Sequence, residues 1–383
     1  MAESPAAHLQ CFQAMDVSEE NKLALLRNDP AAFPEAIDEA KSLLSEIERL
    51  CPDEAQQFGL KKDIIGSVPF KLLHEPASQS GNNATGVGMH FESYITLSYC
   101  WRCADWTPTE GLGDVAPGWP ISCRMLRSLL QQRRGFNEGI WVDERCINQS
   151  DESEKSHAIS AMDLIYKRAR LVVVAIEDVS FSEAEALVIQ RFVADAEADA
   201  DGDERPSLGD EVLFQILVKL ASARWFQRAW CSHEFQLSKD LVFLLATEND
   251  ILELPIAVLQ NLGTIAFKTA RPAEARNELM RATSFICQLI WRSTERPKGD
   301  RSYRTIKMDF STIDRLKCNV ETDKISISLN IAGLQVYYMG RRQSRDQCRW
   351  LLAIITLCTG DATVFGGDRG FLRRRTSILD GLD

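Results

Sequence analysis

One stretch constrains the fold more than any other: Gly139–Asp178, GIWVDERCINQSDESEKSHAISAMDLIYKRARLVVVAIED. Ile140–Val142 is a short apolar run, and Asp143 and Glu144 follow where a strand should end. Asn148, Gln149 and Asp151 make a polar elbow. From Ala158 the apolar positions Ile159, Met162, Ile165, Tyr166 and Ala169 fall on one helical face. Leu171–Ile176 is continuously apolar and Val-rich, as a strand buried on both faces requires. Strand, helix and strand with short joints form a βαβ unit, which implies a parallel sheet.

The flanking chain extends the pattern. Tyr94–Tyr99 (YITLSY) reads as a strand. Ser122 caps a helix carrying Met125, Leu126, Leu129 and Leu130 that ends near Gly135, and this gives a second βαβ unit. Leu241–Ala246 (LVFLLA) reads as a further buried strand, and Val68–His74 as an edge strand. Residues 1–67 read as an N-terminal helical segment, with Ser18 capping one helix and Pro34 opening another. Residues 68–248 form the α/β domain, interrupted by an acidic loop near 178–206. Residues 249–383 read as mainly α-helical, through Glu274–Trp291, Arg345–Cys358 and a Lys324–Tyr338 segment that is ambiguous with a strand.

Composition narrows the function classes. Over 383 residues the net charge is −11, which argues against a general nucleic-acid or anionic-membrane binder. Eleven cysteines are scattered without a repeated spacing. There is no basic-then-apolar N-terminal signal and no apolar run of membrane-spanning length. The expectation is a cytoplasmic chain with reduced thiols. No phosphate-loop or nucleophile-elbow motif occurs. Cys100 and Cys103 have CxxC spacing, but no second pair completes a zinc site, so no metal is expected.

Ala223–Asp240, ARWFQRAWCSHEFQLSKD, places Phe226, Trp230 and Glu234 four apart, as along one helical face. A carboxylate on an aromatic stripe either finds a buried partner or opens onto a cleft. Arg224 and Arg228 are candidate partners from the same segment. The bland readings are a capping box at Asp151 and Glu154, turn chemistry at Asn148 and Gln149, a buried Cys146, and core roles for Trp101, Trp141 and Trp230.

Three blocks, YITLSYCW, IWVDERCINQSDESE with Met162, Ile165, Tyr166 and Ala169, and RWFQRAWCSHE, occur in this order. They resemble the signature blocks of the fungal heterokaryon incompatibility (HET) family across roughly residues 68–245. Arg102 stands where that family has Gly, Lys155 where it has Arg, and Cys231 and His233 where it has Thr and Gln. The resemblance implies a flavodoxin-like, TIR-like parallel sheet with flanking helices. It also implies a role in allorecognition and regulated cell death, through self-association or an incompatibility partner. Trp230-Cys231-Ser232-His233-Glu234 is similar to the W-C-x-x-E of TIR domains, whose Glu is essential for cleaving NAD. By that analogy Glu234 is the catalytic candidate and Trp230 a stacking surface. Ser98, Tyr99, Trp101 and Asp143 line the pocket, and NAD is the substrate, with no separate cofactor. The alternative is a non-catalytic signalling module of the same fold.

Overall fold

The computed structural model describes residues 12–26, 34–62, 68–75, 91–101, 112, 114–135, 137–198, 210–269, 313–314, 316–340 and 343–359. The chain divides into two compact units. The first comprises Met1–Arg27, Val68–Ala158 and Met162–Lys298; the second comprises Asn28–Ser67, Ile159–Ala161 and Gly299–Asp383.

The first unit is built on strands β1 (Gln13–Asp16), β2 (Lys71–His74), β3 (Ser93–Tyr99), β4 (Glu138–Trp141), β5 (Leu171–Phe181), β6 (Leu241–Thr247) and β7 (Ile251–Pro255). Its helices are α1 (Glu19–Leu25), α2 (Cys123–Gln131), α3 (Asp143–Cys146), α4 (Glu152–Ser160), α5 (Met162–Arg168), α6 (Glu183–Ala198), α7 (Asp210–Ala221), α8 (Ala229–Leu237) and α9 (Ile256–Thr269). The seven strands make one sheet in the order β1-β2-β4-β3-β5-β6-β7. β4, β3, β5 and β6 run parallel, with Ile95 set between Ile140 on one side and Leu171 on the other. β1, β2 and β7 add antiparallel strands at the margins. In chain order the parallel strands read 2-1-3-4, so the winding reverses between β3 and β5. A doubly wound sheet opens its ligand crevice at that point, beyond the carboxyl ends of the strands.

Local sequence explains these elements. Val172, Val173, Val174 and Ile176 on β5 are fully buried, each such side chain stabilising the fold by about 1.5–3 kcal/mol. The Ser122 hydroxyl caps α2 by accepting from the Met125 N–H at 3.3 Å. Gly139 lets Leu72 of β2 approach, since a Cβ there would lie 2.8 Å from its Cδ1.

Several expectations need correction. Val68–His74 is not an edge strand, because β1 pairs along the outer side of β2. Asp143 and Glu144 do follow the end of β4, but they open a short helix, α3, and not a turn. The single helix expected from Ala158 is two helices that meet at Ala161. The acidic stretch after Asp178 continues as strand to Phe181 and then as α6, since Ala186, Ile189 and Phe192 bury one of its faces; 199–209 lie outside the described residues. β7 is strand where helix was expected.

The second unit has its own core. Helix Pro34–Leu50 packs against helix Arg345–Cys358, with Leu43, Ile47, Leu351 and Ile355 buried. Strand Phe58–Leu60 pairs antiparallel with Val336–Tyr338, which follows helix Asp323–Ile331. The Lys324–Tyr338 segment is thus helix, then strand. The Lys61 ammonium is buried and donates to Asn330 Oδ1 at 2.7 Å. Glu274–Trp291 lies outside the described residues. No helix among the described residues is long and apolar enough to cross a membrane.

Candidate functional site: a buried carboxyl at the sheet's switch point

β3 ends in Ser98 and Tyr99, beside the reversal of winding. Ser98 is buried on the sheet, and its hydroxyl donates to Glu234 Oε2. The same hydroxyl accepts from the Trp225 indole N–H at 2.7 Å. Trp225 sits in a 3₁₀ turn, Arg224–Gln227, and Arg228 then turns extended (φ −100°, ψ 137°) to start α8 at Ala229. Phe226 is therefore on the 3₁₀ turn and not on the face of α8 that carries Trp230 and Glu234, which corrects the expected aromatic stripe. Phe226 stacks on Phe243 in the core instead.

Glu234 is 7% exposed. Burial pushes its carboxyl up to about 8, and the charge of Asp143 adds to that rise. The Ser98 and Tyr166 hydrogen bonds and the Arg228 guanidinium oppose it. The carboxyl is therefore mostly protonated at pH 7. Arg228 acts on it through its field, while the hydrogen bonds come from β3 and α5. Tyr166, matched above only as an apolar helix position, turns its hydroxyl to Glu234. Its own ionisation is pushed well above normal by burial and by the Glu234 and Asp143 charges.

A second, more open carboxylate lies beside the first. Asp143 Oδ1 accepts from the Tyr99 hydroxyl at 2.7 Å and from the Glu144 N–H at 2.7 Å. Asp143 Oδ2 accepts from the Trp101 indole at 2.7 Å. Burial raises its pKa, while Tyr99, Trp101, the Glu144 amide and Arg228 hold it down. Trp101 is 39% exposed, so it is not core; it forms a rim. Tyr99 also donates to Glu144 Oε2 at 3.1 Å. Arg224 braces the rim, its N–H donating to Asp178 Oδ2 at 2.7 Å and its Nη2 to the Trp101 carbonyl at 3.2 Å.

The structure thus joins Ser98 to Glu234, and Tyr99 and Trp101 to Asp143. Trp230 is half-buried and packs edge-on to His233, ring centroids 5.2 Å apart. The elbow is structural: Asp151 Oδ1 accepts the Ser153 and Glu154 amides, Gln149 donates to the Asp143 carbonyl, and Asn148 Oδ1 accepts from Ser150. Glu154 does not reach back to complete a capping box. It accepts from the Asn148 N–H and from Lys71, both at 2.9 Å. Cys146 is buried and its thiol pushed up to about 12 by burial, so it is inert. Among the described residues no group of three or more His, Cys, Asp or Glu side chains is arranged to hold a metal ion.

The segment that builds this site, residues 94–234, matches the family model described as "Heterokaryon incompatibility protein (HET)". The chain carries a HET domain. A curated relative, "Heterokaryon incompatibility protein 6, OR allele" of Neurospora crassa, is 28% identical over 39% of this chain. That match spans 28% of the relative's length. No solved structure matches the chain significantly. The first residue of the HET match, Tyr94, is on β3, and the last is Glu234, so the matched segment contains both carboxyls and every donor named around them.

Proposed function

We propose that this chain acts in fungal heterokaryon incompatibility, and that its HET domain hydrolyses the nicotinamide–ribose bond of NAD through Glu234. What supports the reading is the position of Glu234: a carboxyl with a perturbed pKa, hydrogen-bonded to the end of β3 at the switch point and adjoining a rim of Asp143 and Trp101. Perturbed carboxyls in such places favour function over pure structure.

Cleavage breaks the bond between ribose C1′ and the nicotinamide nitrogen, and the electron pair leaves with neutral nicotinamide. The ribose passes through an oxocarbenium-like state, which a carboxylate stabilises. Glu234 is that carboxylate and orients the water that attacks C1′. Trp101 offers an open aromatic face for stacking, and Asp143 an acceptor for a ribose hydroxyl. Because the working form is ionised and Glu234 titrates near 8, the rate rises from pH 7 to pH 9. The domain works in the cytoplasm, through self-association or an incompatibility partner, toward regulated cell death.

The test is nicotinamide release from NAD by the purified chain, concentrated or artificially oligomerised, against Glu234→Gln. Release by the wild type alone, rising through pH 8, supports the proposal. Equal release from both proteins removes Glu234 from the mechanism. A second reading, a non-catalytic signalling module of the same fold, is favoured by the low exposure of Glu234 and its hydrogen bonds to Ser98 and Tyr166. No release under oligomerising conditions selects it.

A further inference from the structure

Two cysteines that no motif pairs meet beside the site. Cys100 follows the last residue of β3, and Cys231 lies in the first turn of α8, three residues before Glu234. The Ser98–Glu234 hydrogen bond holds these two elements together. Cys100 lies two residues beyond Ser98 and Cys231 one helical turn before Glu234, so that hydrogen bond brings the two thiols near each other, and each shifts the other's ionisation. Cys231 is buried, Cys100 is partly exposed, and both are free thiols. Arg228 and Arg224 set positive charge beside Cys100.

We infer that Cys100 and Cys231 form a reversible dithiol–disulfide pair that clips the end of β3 to the start of α8, with low-molecular-weight disulfides such as glutathione disulfide as the oxidant. The roles differ by environment. Cys231 and the Arg228 and Arg224 charges lower the Cys100 thiol against burial and the Asp178 charge, whereas burial raises Cys231 well above its usual range. Thiolate character and access make Cys100 the attacking sulfur. Its thiolate attacks one sulfur of glutathione disulfide, forming a mixed disulfide and expelling one glutathione thiolate. The Cys231 thiol then gives its proton to solvent and attacks Cys100 Sγ, expelling the second glutathione thiolate. The protein loses two hydrogens and glutathione disulfide becomes two glutathiones. The sequence motif pointed elsewhere, to the CxxC partner Cys103. Cys103 lies outside the described residues, whereas β3 and α8 bring Cys231 to Cys100, and the clip does not depend on whether the domain cleaves NAD.

The test oxidises the reduced full chain in a glutathione buffer at pH 8, quenches with acid and N-ethylmaleimide, and maps tryptic peptides. Cleavage after Arg102 separates Cys100 from Cys103. Cys100 falls in Leu72–Arg102, Cys103 in Cys103–Arg124, and Cys231 alone in Ala229–Lys239. The expected product links Leu72–Arg102 to Ala229–Lys239. Cys100→Ser abolishes it, and Cys231→Ser leaves glutathione on Cys100. Linkage of Cys100 to Cys103–Arg124, glutathione retained on Cys100 in the wild type, or unmodified Cys100 at glutathione ratios that oxidise a small dithiol would each overturn the inference. The wild-type map decides the question even if a variant fails to fold.

Discussion

Replacing Glu234 with glutamine isolates the proton that this carboxyl holds. The substitution keeps size and an acceptor for the Ser98 hydroxyl, but it cannot ionise. In the unfolded chain Glu234 titrates near 4.5, and in the fold near 8. Below about pH 4.5 both states carry the proton and the two proteins differ little. Between 4.5 and 8 the unfolded chain is ionised while the fold retains its proton, so each pH unit removes about 1.36 kcal/mol of wild-type stability. Above 8 both states are ionised and the loss is complete. The ceiling is about 5 kcal/mol, and side-chain relaxation around the ionised form leaves at least about 2 kcal/mol. Glu234→Gln should match wild type at pH 5 and exceed it by about 2–5 kcal/mol at pH 9. Urea unfolding of both proteins from pH 5 to pH 9, followed by tryptophan fluorescence, reads this as diverging midpoints at constant slope. Parallel midpoints would refute the argument. So would a glutamine variant that is weaker at pH 9, which would place an ionised Glu234 in the fold, held by Arg228.

Two further perturbations test the surrounding frame. Ser98→Ala strips the acceptor from the buried Trp225 indole and a donor from Glu234; the expected cost is about 2–4 kcal/mol. Combining it with Trp225→Phe should cost less than the sum of the two single changes, by at least about 0.5 kcal/mol in a double-mutant cycle of urea midpoints. Glu138→Gln breaks the pair in which Arg170 Nε and Nη2 meet the two carboxylate oxygens at 2.6 and 2.7 Å, and it should cost about 3 kcal/mol at pH 7. Against burial, Arg170, Ser93 and the Arg134 amide hold the Glu138 carboxyl below its usual range. Its contribution is therefore present above about pH 4.5 and fades as pH falls below that, where wild type and variant should converge in thermal melts.

The parallel strands were legible because each is an apolar run buried on both faces, as at Leu171–Ile176. β1 was not, since QAMD is a four-residue margin strand with no buried side chain and carries no alternation to read. α6 hid behind its acidic composition, which outweighed the buried Ala186, Ile189 and Phe192 in the reading of that stretch. Each candidate site residue was visible by type, and Ser98, Tyr99, Trp101 and Asp143 also by their place at or just beyond a strand end. Their pairing was not: Ser98 and Glu234 are far apart in sequence, and only the topology joins them. Tyr166 reads in the sequence as one apolar position of a helical face, and Trp225 does not stand out; both rings are buried. Their hydroxyl and indole N–H take part in the site, and periodicity weighs only the ring. The expected stripe through Phe226 failed because the extended Arg228 interrupts the helix, a backbone change that spacing alone does not reveal.

The three sequence blocks meet for a topological reason. The first block runs out at the carboxyl end of β3, the second starts at the carboxyl end of β4, and a parallel sheet puts both ends on one rim. The third block opens α8 against the end of β3. The chemistry at this meeting point has two opposed demands. With its proton, Glu234 is a neutral, hydrogen-bonded key between β3, α5 and α8, and the fold is at its most stable. Without the proton, it is the carboxylate that cleavage of a nicotinamide–ribose bond requires. A carboxyl titrating near 8 is ionised in about a tenth of molecules at pH 7. A cationic nicotinamide ring beside it lowers the cost of ionisation, so binding such a substrate would draw out the reactive form that the empty fold suppresses. On the NAD reading, stability and activity therefore run in opposite directions across pH 7 to 9. A purely structural carboxyl would show the stability change alone.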